Sequence, residues 1–443
     1  MCGYGVTNRE SLESSNAFCA RRGPDITTTK TIESVYFLHN LLHITGEKIT
    51  QPFEKGDVVC VFNGEIYNYD KLGSYASDGE CLIDLYEREG EGFCKLLDGE
   101  FSICLIDFKK RILITSVDSF SCKPLWRSFE GEYFGVASYK SQLNGIGFKS
   151  VEKQYANTTE IRSMKDFSLI KTYPNVVYDL EQKKNTYDDW IQAFSNSIAK
   201  RTRNTSYKTF IGMSSGFDSG AIACELSKQG SPFKAYSILN NEDIKIIQER
   251  ASLLKEHESY ILSNDEYNYW TAALNNDCEG FVYNDGVRNY NIKGDKASKG
   301  LASICHRANA EGRRIYFSGQ GADEIISDYG HDGKKIYYHS EFGGLFPEKL
   351  EGFFPWHSFY DGTQIQYLNK EEYVAGHFGI ETRYPFLDKD LVQEFLWLSS
   401  DLKNRKYKSC LDEYLDVNNF PYNATEKRGF NVTGNNRSAN IIR

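Results

Sequence analysis

The chain has 443 residues, of which 40% are hydrophobic and 26% are charged, and 61 acidic residues outnumber 52 basic ones. This composition predicts a globular protein of two or three domains and argues against a disordered chain. The formal net charge of −9 gives no reason to expect nucleic acid as a partner, and no basic amphipathic face suggests a membrane surface.

The eleven cysteines are scattered along the chain and form no C-x-x-C pair. No apolar stretch reaches the roughly 18 residues of a membrane-spanning helix, and the N-terminus lacks the pattern of a signal peptide. We therefore expect a cytoplasmic protein whose cysteines are mostly small core residues. The eight histidines show no helical metal pair and are interpreted as structural or surface residues.

Residues 1–150 form the first predicted domain, which is rich in strands. One helix is predicted between Gly79 and Gly90 because apolar residues recur on one of its faces. Residues 151–185 are predicted to be connector strands and a linker. The predicted strands of the first domain are short apolar or alternating runs: Val35–Leu38, Asp57–Asn63, Phe101–Phe108, Arg111–Val117 and Glu132–Ala137.

Residues 186–443 form the second predicted domain. Thr186 and Asp189 have the spacing of a helix cap, and the apolar stripe that follows predicts a helix. Strands then alternate with helices, which predicts a parallel sheet with helices on both faces. The tail from Asn431 to Arg443 is polar and is predicted to be loosely held.

The pattern of Thr209–Ser219 predicts a buried strand, a turn of small residues and the start of a helix. Small residues allow close backbone approach, and a helix start offers free N–H groups to an anion. The stretch can therefore hold a phosphate or pyrophosphate, with Asp218 reaching a counter-ion such as Mg2+. By itself, it is equally consistent with an ordinary strand–turn–helix unit.

Cys2 follows Met1 directly. If Met1 is removed, Cys2 carries both a thiol and a free α-amine. The pKa of an α-amine is near 8, so this amine can act as the general base for the thiol.

The first domain resembles the class II glutamine amidotransferases, and it carries their motifs in order. The start Met-Cys-Gly-x-x-Gly matches theirs. The other matching segments are Arg22-Gly23-Pro24-Asp25, Gln51-Pro52, Asn63-Gly64-Glu65-Ile66-Tyr67-Asn68, Ser77-Asp78-x-Glu80, Leu97-x-Gly99-x-Phe101, and Asp118 with Lys123-Pro124-Leu125.

The second domain resembles that of the glutamine-dependent asparagine synthetases, in three segments that keep the family's order. The first is the pyrophosphate loop Ser214-Ser215-Gly216-Phe217-Asp218-Ser219. The second is Ser318-Gly319-Gln320-Gly321-Ala322-Asp323-Glu324, and the third is Gly379-Ile380-Glu381-Thr382-Arg383-Tyr384-Pro385-Phe386-Leu387-Asp388. The resemblance covers nearly the whole chain. It implies an N-terminal αββα sandwich of the N-terminal-nucleophile kind, followed by a doubly wound α/β ATP pyrophosphatase domain.

The resemblance also implies roles in glutamine hydrolysis. Cys2 would attack the side-chain amide of glutamine, Asn63 and Gly64 would stabilise the oxyanion, and Glu65 and Asp78 would hold the α-amino end. Leu41 occupies the place of the arginine that grips the substrate's carboxylate. The lost charge-assisted hydrogen bond is worth about 1.5–3 kcal/mol, and Arg21 is the substitute cation that we consider.

For the second domain the resemblance implies a site for Mg-ATP. Asp218 and Asp323 would hold Mg2+ against the phosphates, which neutralises charge at the leaving pyrophosphate. The implied nucleotide contacts come from the first two segments, from two lysines, and from Met213 and Ile238, which would flank the adenosine. They are Met213, Ser214, Ser215, Gly216, Asp218, Ser219, Ile238, Ser318, Gly319, Lys408 and Lys427.

Four departures from the family pattern stand out: Leu41, Val117, Ser215 and Gln320. In the Asp118 loop, Val117 and Ser121 replace the family's arginine and glycine. Gln320 replaces a glutamate tied to the acyl-adenylate, and it can neither carry charge nor accept a proton.

The implied activity is ATP-dependent, glutamine-hydrolysing amide synthesis. Aspartate is the default acceptor, and ammonia would cross an internal passage. Two alternatives stay open. One is amidation or cyclisation of a different carboxylic acid, and the other is a degenerate amidotransferase kept as a binding protein. Homodimers are common in the family.

Overall fold

The computed structural model describes residues 2–205, 207–284, 289–423 and 432. It contains two compact units. The first comprises Met1–Val177 with the short segments Asn204–Ser206 and Gly376–Glu381, and the second comprises the remaining residues. Within the described ranges, no helix combines the length and apolar character needed to cross a membrane. All eleven cysteines are free and buried, as expected for core residues.

The first unit is built mainly from antiparallel strands. Its strands are β1 (Gly3–Thr7), β2 (Ile26–Ile32), β3 (Val35–Leu41), β4 (Phe53–Lys55), β5 (Val58–Ile66), β6 (Gly99–Asp107), β7 (Ile112–Val117), β8 (Trp126–Glu130), β9 (Tyr133–Ala137), β10 (Glu152–Lys153), β11 (Thr158–Ser163) and β12 (Leu169–Pro174). Its helices are α1 (Ala17–Arg22), α2 (Tyr69–Leu72), α3 (Cys81–Glu89) and α4 (Lys140–Gly145).

These strands form two six-stranded sheets, in the orders β10-β8-β9-β1-β3-β2 and β12-β11-β7-β6-β5-β4. One apolar cluster contains side chains of both sheets, such as Val6 and Phe37 from the first and Val61 and Leu113 from the second. Separate clusters place α3 on the outer face of one sheet and α4 on the outer face of the other. The αββα sandwich predicted from the sequence is therefore confirmed.

The five strands predicted in this unit are present, but three of them, β3, β5 and β6, are longer than predicted. β5 continues to Ile66 and β6 begins at Gly99, because these two residues are paired in the antiparallel ladder. The extension keeps Asn63, Gly64 and Glu65 inside a sheet, where all three are buried. The backbone of this predicted catalytic segment is thus fixed by its neighbour strand.

The second unit alternates strands with helices. In chain order its elements are α5 (Asp188–Thr202), β13 (Lys208–Gly212), α6 (Phe217–Lys228), β14 (Phe233–Ile238), α7 (Ile244–Leu253), β15 (His257–Tyr260), α8 (Asn264–Asp277), β16 (Val282–Asn284), β17 (Asn289–Asn291), α9 (Lys296–Ala310), β18 (Arg313–Phe317), β19 (Gly330–His331), β20 (Lys334–Lys335), α10 (His357–Tyr360), α11 (Thr363–His377), β21 (Glu381–Arg383), α12 (Lys389–Trp397), α13 (Ser400–Asn404) and α14 (Ser409–Val417).

The main sheet of this unit has the order β15-β14-β13-β18-β21. β13 pairs in parallel with both β14 and β18, so the chain reverses its direction of winding at β13. In such sheets ligands bind at the carboxyl ends of the strands, beside the reversal. The doubly wound fold predicted from the sequence is confirmed, and it points to the segments that follow β13 and β18.

One local prediction is wrong. Thr186 and Asp189 do not cap α5, because the helix begins at Asp188 with Tyr187 at the N-cap and no side chain capping it. Tyr187 already has near-helical backbone angles, φ −89° and ψ −2°, so the extended geometry of a capping residue is missing. The apolar stripe is confirmed, since Trp190 and Phe194 are buried.

Candidate active sites

Cys2 immediately precedes β1, a strand in the interior of its sheet between β9 and β3. The buried Arg22 donates from Nε to the Cys2 carbonyl oxygen over 2.7 Å. Its guanidinium lies over the Tyr139 ring at 5.5 Å from the centroid. A Cβ on Gly3 would lie 2.3 Å from the Cys19 sulfur, so glycine lets α1 pack closely against β1. These contacts fix the position of the Cys2 backbone.

A pocket with a cavity volume of about 30 Å³ opens beside Cys2. Of the residues predicted for glutamine hydrolysis, Cys2, Leu41, Gly64, Glu65 and Asp78 all line it. These residues come from well-separated positions in the chain, and the sandwich brings them together.

The two predicted acids are held by neighbouring donors. Thr45 donates from Oγ1 to Glu65 Oε2 over 2.6 Å, and the Ile66 backbone N–H donates to Asp78 Oδ2 over 2.9 Å. Burial raises the pKa of Asp78 to about 6. Two fixed carboxylates on one wall suit an ammonium group, as the α-amine of glutamine would present.

Asn63 does not border the pocket itself, but its neighbour Gly64 does. The Asn63 side chain is fully buried, and neither its Oδ1 nor its Nδ2 has a hydrogen-bond partner among the described residues. Gly64 has φ +142°, and a Cβ there would lie 1.9 Å from the Glu100 carbonyl oxygen. An unpaired buried amide is costly in a purely structural role, so Asn63 stays a prediction for the oxyanion donor.

The thiol of Cys2 is not activated by its surroundings. Burial raises its pKa to about 11, and its only hydrogen-bond contact given by the structure is to the Leu42 carbonyl oxygen at 3.8 Å. A nucleophilic thiolate therefore needs a base, and the described residues give the thiol a backbone contact and no side-chain hydrogen bond. The α-amine predicted for this role depends on Met1, which lies outside the described residues.

The departure at Leu41 is placed directly at the pocket. Arg21, the cation considered as its substitute, is exposed and instead contacts the His377 ring over 3.3 Å. It is not among the residues that line the pocket.

The other departures in this unit are structural in their effects. Val117 is fully buried in the core between the sheets. Asp118 holds the following loop by accepting from the backbone N–H groups of Phe120 and Cys122. Ser121 has φ +54°, a conformation that glycine adopts more easily. The loop therefore keeps a glycine-like backbone despite the serine.

In the second unit the two predicted nucleotide strings leave the same edge of the sheet, because β13 and β18 are parallel neighbours. The strings also touch. A Cβ on Gly319 would lie 2.9 Å from the Asp218 Cβ, so only glycine allows this approach. The fold thus unites two segments that lie a hundred residues apart in the sequence.

Asp218 and Asp323 converge on one ammonium group. Lys408 Nζ lies 2.5 Å from Asp218 Oδ1 and 2.8 Å from Asp323 Oδ1. Tyr407 adds a hydrogen bond from its hydroxyl to Asp323 Oδ1 over 2.8 Å. Although burial disfavours its charge, the two carboxylates raise the pKa of Lys408. The second lysine predicted for the site, Lys427, lies outside the described residues.

The two carboxylates fit a magnesium site that shares its ligands with phosphates. Within the described ranges, no cluster of three or more His, Cys, Asp or Glu side chains could hold a metal by itself. Mg2+ is commonly bound by one or two carboxylates together with waters and substrate phosphates. Asp218 and Asp323 would therefore hold it only in combination with a nucleotide.

The pyrophosphate loop is held by hydrogen bonds within the chain. Glu242 Oε2 accepts from both the backbone N–H and the hydroxyl of Ser215, over 2.6 and 2.5 Å. The buried Arg250 donates from Nη1 to the carbonyl oxygens of Ser214 and Gly216. The side chain of Ser215, which departs from the family glycine, thus points at a carboxylate.

Further loop contacts involve Ser214 and Ser219, whose hydroxyl groups lie 2.9 Å apart. The two apolar residues predicted to flank the adenosine, Met213 and Ile238, are both buried.

Around Gln320 the structure adds a residue that the sequence reasoning missed. Ser318 donates from Oγ to Glu371 Oε2 over 2.5 Å and accepts from the Gln320 backbone N–H over 3.0 Å. Burial raises the pKa of Glu371 to about 7, near that of an effective proton acceptor. Glu371 lies in the charged run Lys370–Glu372 of α11, a pattern that normally marks a solvated helix face. Nothing in the sequence alone singles it out.

Comparison with known proteins adds two family matches that together cover most of the chain. Residues 1–182 match a glutamine amidotransferase domain, and residues 189–363 match asparagine synthase. A Methanocaldococcus jannaschii protein assigned as glutamine-hydrolysing asparagine synthetase 1 is 26% identical, over 90% of this chain and 76% of its own length. Glutamine-hydrolysing asparagine synthetase 2 of Arabidopsis thaliana is also 26% identical, over 86% of this chain and 67% of its own length.

Among solved structures, a glutamine phosphoribosylpyrophosphate amidotransferase from B. subtilis is 13% identical. The match covers 77% of this chain and 86% of that one, with a TM-score of 0.33.

Proposed function

Because this chain belongs to the family of glutamine-hydrolysing asparagine synthetases, which are carbon–nitrogen ligases, we propose that it uses ATP to convert aspartate to asparagine. The coarser activity, glutamine-dependent and ATP-driven amide synthesis, follows from the family. The proposal adds the acceptor, a β-aspartyl-adenylate intermediate, and the release of AMP and pyrophosphate.

The observation that carries the proposal is the convergence of Asp218, Asp323 and Lys408 at one edge of the second sheet. Adenylation of a carboxylate develops negative charge on the leaving pyrophosphate. Two carboxylates that can share a magnesium ion with the phosphates, together with a buried ammonium, are suited to neutralise that charge.

In the first unit, Cys2 would form a bond from Sγ to the side-chain carbonyl carbon of the amide donor. The carbon–nitrogen bond then breaks and ammonia leaves, carrying the proton released by the thiol. Water hydrolyses the thioester to a carboxylic acid and restores the thiol. Asn63 and the Gly64 backbone would stabilise the oxyanion in both steps.

The proposal is tested by measuring AMP formation from Mg-ATP and aspartate, with glutamine or ammonium chloride as the nitrogen source. We expect Cys2→Ala to lose the glutamine-dependent reaction and to keep the ammonia-dependent one. Cys60→Ala, at a buried core thiol of the same unit, is the matched control and should keep both. Failure of the wild-type protein to form AMP with aspartate from either nitrogen source would contradict the proposal.

Gln320 supports a second candidate function, in which the acceptor is an acid other than aspartate. The family has a glutamate at this position, and that glutamate is tied to the acyl-adenylate. ATP–pyrophosphate exchange across a panel of carboxylic acids separates the two candidates. Exchange with aspartate alone would remove the second, and exchange with a different acid alone would remove the first.

A further inference from the structure

The pocket beside Cys2 has an unusual balance of charge for a site that binds a free amino acid. Among the described residues, its lining includes three carboxylates, Glu47, Glu65 and Asp78, and neither lysine nor arginine. Such a surface attracts an ammonium group and repels a carboxylate. Free glutamine carries one of each.

Of the described residues that line the pocket, His43 is the one with a basic side chain. Its Nε2 lies 2.8 Å from the Gly46 carbonyl oxygen, so the ring is already engaged in a local turn. Its backbone N–H donates to Asp25 Oδ2 over 2.9 Å, which fixes the segment further. These contacts leave the His43 ring poorly placed to replace the family arginine, whose guanidinium can bind a carboxylate in a bidentate manner.

We propose that this pocket selects amide donors with a free α-ammonium group and an uncharged α-carbonyl group, such as L-glutaminamide or an N-terminal glutaminyl residue, over free L-glutamine. The inference rests on the proposed glutamine hydrolysis and names its substrate class. Glu65 and Asp78 hold the ammonium group, and the apolar Leu41 lies where a carboxylate would otherwise need a charged partner.

The experiment compares L-glutamine with L-glutaminamide as substrates of the full chain. Chromatography follows glutamate from the first and glutamic acid α-amide from the second, so that only side-chain hydrolysis is counted. We expect kcat/KM for L-glutaminamide to exceed that for L-glutamine about 10- to 100-fold, the factor that corresponds to one charged hydrogen bond.

Leu41→Arg should reverse this preference by raising kcat/KM for L-glutamine, whereas Leu41→Met, which adds no charge, should preserve it. His43→Gln should also preserve it. A wild-type preference for L-glutamine would overturn the inference, and so would a loss of L-glutamine hydrolysis alone in His43→Gln. The wild-type ratio decides the question even if Leu41→Arg fails to fold.

Two results separate this inference from the proposed function. If neither donor is hydrolysed, the glutaminase function fails and the inference fails with it. If L-glutamine is hydrolysed faster than L-glutaminamide, only the inference fails.

Discussion

The two candidate sites differ in how the chain satisfies their polar groups. In the first unit the amide of Asn63 has no hydrogen-bond partner among the described residues, although it is fully buried. In the second unit the key charges are already paired, since Lys408 binds Asp218 and Asp323, and Glu242 binds Ser215. A ligand that reaches the Asn63 amide would gain new hydrogen bonds, whereas Mg-ATP at the second site would have to exchange existing ones.

This contrast gives each site a distinct energetic signature. An unpaired buried group costs stability that binding can recover, whereas a paired group stabilises the fold and must be partly released on binding. Substitutions at Asn63 should therefore affect catalysis with little effect on stability, and substitutions at Asp218, Asp323 or Lys408 should affect both.

The largest expected effect is at Asp218. Asp218→Asn should lower ATP-dependent AMP formation by about 10³-fold or more, since one of the two carboxylates for Mg2+ is lost. It should also lower the melting temperature, because the buried Lys408 loses a charged partner. Asp265→Asn, at an exposed acid, is the control. Normal AMP formation by Asp218→Asn would show that the cluster of Asp218, Asp323 and Lys408 is not the ATP site.

The next largest effect is expected at Glu371. Its pKa is raised to about 7, so the charged, proton-accepting form is present above that pH and is lost as the pH falls below it. Lys370, Glu324 and Glu372 also act on this carboxylate. Glu371→Gln should lower the rate of amide formation about 10²- to 10⁴-fold and abolish the fall in rate below pH 7.

Glu372→Gln is the matched control for Glu371, because it keeps an acceptor for the Tyr384 hydroxyl while removing a neighbouring charge. An unchanged pH profile in Glu371→Gln would show that Glu371 does not accept the proton.

A smaller effect is expected at Asn63. Asn63→Ala should lower kcat for hydrolysis of the amide donor about 10²- to 10³-fold, as for the loss of one oxyanion donor. Its melting temperature should stay near that of the wild type, because no hydrogen bond within the described chain is lost. Ammonia-dependent AMP formation is the internal control. A large drop in melting temperature with normal hydrolysis would assign Asn63 a structural role.

The smallest effect is expected at Glu242. Glu242→Gln keeps the acceptor for Ser215 but removes a negative charge from the loop predicted to hold phosphates. The KM for ATP should fall about 3- to 10-fold, as expected for relief of a partly screened repulsion. Glu348→Gln, at an exposed acid, should have no effect. A higher KM for ATP would mean that the charge of Glu242 orders the loop for binding.

The sequence by itself determined the two folds and the identity of most candidate residues. Apolar runs and helical periodicity predicted β3, β5, β6, β7 and α3 because secondary structure follows local pattern. The strings around Asp218 and Asp323 were recognisable because short loops must keep particular residues to approach a ligand.

Only the tertiary structure decided which side chains meet. It paired Lys408 with both aspartates, placed Leu41 in a pocket to which the described residues contribute no lysine or arginine, and brought Glu371 to Ser318. None of these contacts leaves a local signal, because each joins residues distant in sequence whose neighbours look like ordinary strands or charged helices. The charge balance of a site depends on such long-range contacts, and therefore so does the substrate that it selects.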